Sequence, residues 1–234
     1  MGHAKMGYTN SIELKNFSIG KPKAMKYGDG KEITTGIRKE TVAEAFLTTE
    51  GFRGDGVGDL RFHGGPDRAV CVYPFEHYKQ WEEEFGQPLA PSSFGENITV
   101  TNMLEADIHI GDIFQLGESV IQVTQGRIPC STITKRTNLP FLLKRMVETG
   151  FTGYLCRVLE EGTVRRDSKI TLIEQHPQQV SILFANEIYF RAPKDIEGMQ
   201  KILDVAQLAE EWRETLEKRI HKFVNVGAVQ KVEN

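Results

Sequence analysis

Ser119-Val120-Ile121-Gln122-Val123-Thr124-Gln125-Gly126-Arg127-Ile128-Pro129-Cys130 is the stretch on which the fold turns. Its first six residues alternate in the manner of a half-buried strand over 119–124. The segment from Thr124 to Ile133 begins where that strand ends, so it emerges on a rim or loop. Working back, Ile108–Ile110, Gly111-Asp112 and Ile113–Leu116 read as strand, turn, strand, and Gly117-Glu118 turns the chain into Ser119. Further out, Ala69–Tyr73 is a short apolar, β-branched run that predicts a buried strand. Thr152–Leu159 and Thr163–Ile173 flank Glu160-Glu161-Gly162 as a second expected hairpin. Strands at such spacing predict a barrel or a sandwich.

Two helices interrupt this β region. Pro74 suits a first helical turn, and Phe75, Tyr78, Trp81 and Phe85 follow at helical spacing as core packing. Leu139–Thr149, stopped by Gly150, is the second. Beyond His176-Pro177 the texture changes. Val180–Arg191, Ile196–Val205 and Leu208–Val224 have helical periodicity with charged outer faces. The expected organisation is a β domain over 11–175 and a three-helix extension over 178–227.

The 234 residues are 39% hydrophobic and 26% charged, which excludes a disordered chain. Lys+Arg 29 against Asp+Glu 32 gives a net charge of −3. A duplex-binding module carries a basic excess to neutralise phosphates, so direct duplex nucleic-acid binding is not expected. Apolar runs fall far short of the ~20 residues that span a bilayer. Cys71, Cys130 and Cys156 are widely spaced and form no C-x-x-C pair. That argues against a zinc ribbon or a disulfide framework, and for reduced thiols in the cytoplasm.

There is no phosphate-binding G-x-x-x-x-G-K-[ST] loop, no dinucleotide fingerprint, no H-E-x-x-H and no G-x-S-x-G. Gly54–Asp59 is glycine-rich, but its two aspartates repel phosphate and no helix follows. The chemistry concentrates elsewhere. Arg127 is close in sequence to Cys130, and Ser131 and Thr132 follow it. A neighbouring guanidinium favours thiolate over thiol, and hydroxyls with an arginine fork grip phosphate or carboxylate oxygens. These residues alone leave two readings: a reactive or metal-bound thiolate beside an anion pocket, or a buried, inert cysteine before a polar turn. In Phe62–Val70 two glycines and a proline make a tight loop with exposed amides, which leaves two readings: His63 and Arg68 aimed at an anion, or a turn with a solvent-facing histidine. In Ser93–Ile98, Gly95 permits an unusual backbone angle and Asn97 offers an amide.

In order along the chain, the strings NFSIGKPKAM, TTGIRKE, HGGPDRAVCVYP, FGENITV, IHIGDIFQLGE and IQVTQGRIPC resemble the MOSC domain, the molybdenum cofactor sulfurase C-terminal module, in its YiiM-like subgroup. The resemblance covers residues 11–175 and continues through the helical tail. It implies a mainly β fold with helices, namely a MOSC-type β-barrel plus a C-terminal three-helix extension. It also implies that the barrel holds the molybdenum cofactor, a molybdopterin dithiolene bearing a phosphate. By its position in R-x-P-C, Cys130 is then the metal ligand and catalytic residue, a soft thiolate suited to a sulfur-ligated metal. Arg127, Ser131 and Thr132 bind the cofactor or its phosphate, His63, Arg68 and Asn97 contact it from the rim, and Lys21 of the G-K-P string is a further contact. Cys71 and Cys156, inside apolar strands, are structural.

The implied activity is reduction of N-hydroxylated compounds such as hydroxylaminopurine, a detoxification. A free N-hydroxylated base or nucleoside is the expected substrate. The sequence has no flavin, haem or iron–sulfur motif, so an external electron donor is needed, and the resemblance implies a flavin-containing reductase. Two alternatives stand beside this activity: a persulfide carrier on Cys130, and a molybdopterin-binding module without turnover. The apolar faces of the tail suit covering the barrel mouth, packing on it, or forming a homodimer.

Overall fold

The computed structural model describes residues 11–56, 58 and 64–232, with side chains up to residue 223. Among these, the strands are β1 (Leu14–Ile19), β2 (Lys23–Tyr27), β3 (Lys31–Thr35), β4 (Glu40–Thr41), β5 (Glu44–Thr48), β6 (Gly51–Phe52), β7 (Val70–Pro74), β8 (Ile98–Val100), β9 (Ile113–Leu116), β10 (Ser119–Gly126), β11 (Tyr154–Glu160), β12 (Gly162–Arg165) and β13 (Ile170–Glu174). The helices are α1 (Glu76–Phe85), α2 (Ser131–Thr137), α3 (Leu142–Thr149), α4 (Ile182–Phe190), α5 (Ile196–Leu203) and α6 (Glu210–Val232).

The main sheet runs β13-β9-β10-β11-β7-β8-β1-β4 and is antiparallel except between β7 and β8. This mixed sheet forms a half-barrel, against which the smaller sheet β12-β5-β6 packs; β2 and β3 make a separate hairpin. All eight residues of β10 are buried, because β9 and β11 flank it in the sheet and α4 packs against it. Phe17, Leu47, Phe114, Val123 and Tyr154 belong to one apolar core, which continues into Ile182, Ile202 and Trp212 of the C-terminal helices. A second core joins Tyr73, Tyr78, Trp81 and Phe94 to Ile133, Leu142 and Met146. Here Tyr73 stacks on Phe94 at 4.1 Å and accepts the Trp81 indole N–H at 2.8 Å.

Several expectations need correction. Pro74 closes β7 rather than opening α1, because the Phe75 amide still reaches across to the Val100 carbonyl at 2.7 Å. Phe75 is accordingly exposed, while Tyr78 and Trp81 are core residues. Ile108–Ile110 forms a single bridge, His109 to Ser181, instead of a strand. The Asp112 carboxylate takes the His109 amide at 2.9 Å and curls the chain into a turn. The expected hairpin around Glu161 does not exist either: β11 pairs with β10 and β7, whereas β12 crosses to β5 in the smaller sheet. The helix expected from Leu139 starts at Leu142, after Phe141 adopts a left-handed φ of 70°. The tail forms three helices, with Ser181 and Asp195 capping α4 and α5 through side-chain oxygens that accept the Phe184 and Gly198 amides.

Candidate functional site

Where β10 ends, its last residues and the surrounding loops line an open cavity of about 710 Å³. Its wall includes Lys39, Asp55, Arg68, Cys71, Asn97, Gln125, Arg127, Cys130, Thr132 and Glu211. This is within the range of volumes that hold small molecules and cofactors.

β10 reaches the cavity through an irregularity. Val123 pairs with Cys156 and Gln125 with Leu155, so Thr124 is an extra residue in the strand. Such a bulge bends the strand and re-aims the side chains that follow it. Thr124 Oγ1 is held by donating to the carbonyls of Asp67 at 2.7 Å and Leu155 at 2.9 Å. Gln125 and Arg127, two residues apart, both line the cavity. The Gln125 side chain is 1% exposed, and its Oε1 has no donor among the described residues. Arg127 Nη1 is likewise buried without an acceptor among them. Burial opposes the charged guanidinium. The acidic groups around it, Cys71 and Cys130 foremost and then Glu96, outweigh that and raise its pKa.

The chain is still extended at Cys130 (φ −121°, ψ 161°), and α2 begins at the next residue. Cys130 is part-buried at the cavity wall, and none of the three cysteines is in a disulfide. Thr132, in the first turn of α2, lines the same wall. Ser131 does not: it is exposed at the start of the helix and is not part of the wall. Lys21, between β1 and β2, is also exposed and is not in the wall. His63 lies outside the described residues. Arg68 is in place, following Gly64-Gly65 and a short 3₁₀ turn over Pro66–Arg68.

Asn97 belongs to the floor rather than the rim. It is 3% exposed, accepts the Cys71 amide on Oδ1 at 3.0 Å and donates to Asp55 Oδ2 at 2.8 Å. The parallel pairing of β7 with β8 is what brings these two segments side by side. Gly95, just before, has a φ of 77°, and a Cβ there would meet Ile37 Cγ1 at 2.7 Å. Asp55 also accepts the Gly20 amide at 2.8 Å and forms a buried ion pair with Lys39, their side chains being 13% and 6% exposed. Of the two aspartates expected to repel phosphate, Asp55 is thus paired with Lys39, and Asp59 lies outside the described residues. Cys71, expected to be structural, does reach the cavity wall, yet burial raises its pKa, an effect partly offset by Arg127. Cys156 is sealed in the core, where burial pushes its thiol far up.

Sequence reasoning missed Lys39, Asp55, Gln125 and Glu211. The two-residue spacing of Gln125 and Arg127 past a strand was a usable signal for one of them. The others depend on partners far away in the chain. Among the described residues no group of three or more His, Cys, Asp or Glu is placed to hold a metal, and no helix is long and apolar enough to cross a membrane. A metal in this cavity therefore needs ligands of its own besides a protein thiolate. A group that brings sulfur ligands and a phosphate fits what the wall offers: the part-buried Cys130 thiol beside the buried Cys71, a threonine hydroxyl and, among the described residues, a guanidinium N–H without an acceptor and a carboxamide oxygen without a donor.

Residues 59–171 match the MOSC domain, and residues 180–223 match the YiiM-like, 3-alpha helix domain. The uncharacterized protein YflK of Bacillus subtilis (strain 168) is 42% identical over 212 residues, covering 90% of this chain and 96% of YflK. The crystal structure of YiiM from Geobacillus stearothermophilus superposes with a TM-score of 0.75 at 33% identity, over 89% of this chain and 99% of that one. A protein of Gibberella moniliformis (strain M3125 / FGSC 7600) named as a reductase is 35% identical over 161 residues, which are 66% of this chain and 28% of that longer protein. With a half-barrel, a helical tail and relatives matched over nearly their full length, the chain belongs to the MOSC-domain family, in its YiiM-like branch.

Proposed function

We propose that this protein is a reductase of N-hydroxylated compounds that works with the molybdenum cofactor held in the 710 Å³ cavity. The observation that carries the reading is the meeting of Cys130 and Arg127 on one cavity wall. When bound, the cofactor supplies the two-electron redox chemistry that no side chain provides. Cys130, as thiolate, serves as the protein ligand to the metal. Arg127 opposes that negative charge and offers its buried Nη1 hydrogens to the phosphate. Thr132 adds a hydroxyl donor, and Gln125 Oε1 accepts an N–H from the ring system. Asn97 and the Lys39–Asp55 pair keep the floor fixed, so that these groups act from a rigid frame. The family membership and the reductase-named relative support the reaction class.

Conversion of an N–OH group to N–H consumes two electrons and two protons and releases water. The electrons come from a separate flavin-containing reductase, and the substrate is a free modified base or nucleoside. Elemental analysis of protein made in a cofactor-producing host tests the reading, alongside anaerobic turnover of a hydroxylamine substrate. Wild-type protein is expected to retain molybdenum and turn over. Cys130→Ala is expected to lose turnover and most of its metal. Unchanged metal and turnover in that variant reject the assignment. Protein without molybdenum whose mass exceeds the sequence mass by one cyanolysable sulfur atom supports a persulfide carrier instead.

A further inference from the structure

The start of α6 is fastened to the loop that carries Arg68. Asp67 accepts the Glu210 amide on Oδ2 at 3.1 Å and pairs through Oδ1 with Arg157 Nη2 at 2.8 Å. The same Arg157 nitrogen donates to the Gln207 carbonyl at 3.0 Å. One residue along, Arg68 gives Nε to the Gly64 carbonyl at 2.7 Å and Nη1 to Glu211 Oε2 at 2.5 Å. Beneath them the Ala209 amide donates to the carbonyl of Thr124, the bulge residue of β10, at 3.2 Å. Arg68 and Glu211 both line the cavity, although 143 residues separate them in the chain.

A guanidinium is planar, so contacts at two of its nitrogens fix the direction of all its donors. An ion pair of this kind, with side chains 19% and 43% exposed, adds little to stability by itself. Its consequence lies in orientation. We infer that Glu211, supplied by the helical extension, is a positioning residue of the cavity: it aims Arg68 at the phosphate of the bound ligand. The extension is thus a wall of the binding site. This inference rests on the proposed function, which puts a phosphate-bearing pterin in the cavity.

The test uses the full chain and a pterin carrying an alkyl phosphate, the fluorescent oxidation product of the cofactor, followed by fluorescence anisotropy. Molybdenum content of protein from a cofactor-producing host is the parallel readout. Glu211→Gln is expected to weaken probe binding about fivefold with a nearly unchanged melting temperature. Arg68→Gln is expected to weaken it at least as much. The double variant is expected to be no weaker than Arg68→Gln alone, since Glu211 acts through Arg68. Unchanged or tighter binding by Glu211→Gln, or losses that add in the double variant, overturns the inference. A wild-type protein that does not bind the probe overturns the cavity reading as well. Wild-type binding with an indifferent Glu211→Gln overturns the positioning role only.

Discussion

Gly126→Ala is the substitution whose outcome most directly probes how the tail is joined to the half-barrel. Gly126 ends β10, and a methyl group built on it falls 1.9 Å from Asn186 Oδ1, 2.9 Å from Asn186 Cγ and 3.2 Å from Trp212 Cη2. The obstructing groups come from α4 and α6. Asn186 is 1% exposed and has little room to retreat, because its Nδ2 donates to the Gly150 carbonyl at 2.8 Å and to Thr152 Oγ1 at 3.0 Å. Rotating it away breaks both bonds, at about 1 kcal/mol each. Forcing a methyl group into the packed contact adds about 1–3 kcal/mol. The expected loss is therefore about 3–5 kcal/mol, a large share of the ~5–15 kcal/mol that holds a domain together. Urea unfolding followed by the fluorescence of Trp81 and Trp212, both fully buried, measures it. In an Asn186→Ala background the cost of the added methyl is expected to fall by about half or more, because the clashing amide is gone. A loss below about 1 kcal/mol in the otherwise native chain refutes the packing argument.

Three other outcomes are expected. Burial raises the pKa values of Cys71 and Cys156 above the ordinary 9.0, so the folded chain holds these protons more tightly than the unfolded chain does. Their contribution is complete below that value and is lost as pH rises past it, by about 1.4 kcal/mol per pH unit for each thiol that only the unfolded chain ionises. Urea midpoints at about pH 8 and about pH 10 check this, and Cys156→Ala is expected to flatten the alkaline loss. Lys39→Met strands the Asp55 carboxylate in a buried setting and is expected to cost about 3 kcal/mol, measured by the same unfolding assay; a neutral result contradicts the ion pair. Thiol labelling of the native protein, read by mass spectrometry of peptides, is expected to modify Cys130 first and to spare Cys156 until denaturant is added.

The strands that announce themselves in the sequence are those with dense β-branched, apolar runs, such as β7 and β10. Tail helices were legible for the matching reason, a sustained apolar period of 3.6 with polar outer faces. α2 was not. Ser-Thr-Ile-Thr-Lys-Arg-Thr has weak helical preference and buries only Ile133, so it looks like a polar turn until the second core claims that one side chain. The crossing of β12 to β5 was invisible because strand partners more than a hundred residues apart leave no local trace, whereas a glycine turn suggests the nearer partner. In the site, Arg127, Cys130 and Thr132 lie within six residues, and local chemistry singled them out. Lys39 with Asp55 and Arg68 with Glu211 exist as pairs only after folding, which is why an aspartate that looked hostile to anions proves to be half of a neutral couple.

Because Glu211 lies C-terminal to every strand of the half-barrel, the order of synthesis has a consequence for the cavity wall. Strands and floor emerge from the ribosome first, and N-terminal parts of a chain fold first. A polypeptide that has reached only α5 lacks Glu211, so the contacts of the first turn of α6 with Asp67 and Arg68 are missing from one side of the cavity. A ligand that depends on the Arg68–Glu211 pair therefore meets a complete wall only once the first turn of α6 has been made, and a half-barrel cut off after α5 does not reproduce the intact cavity.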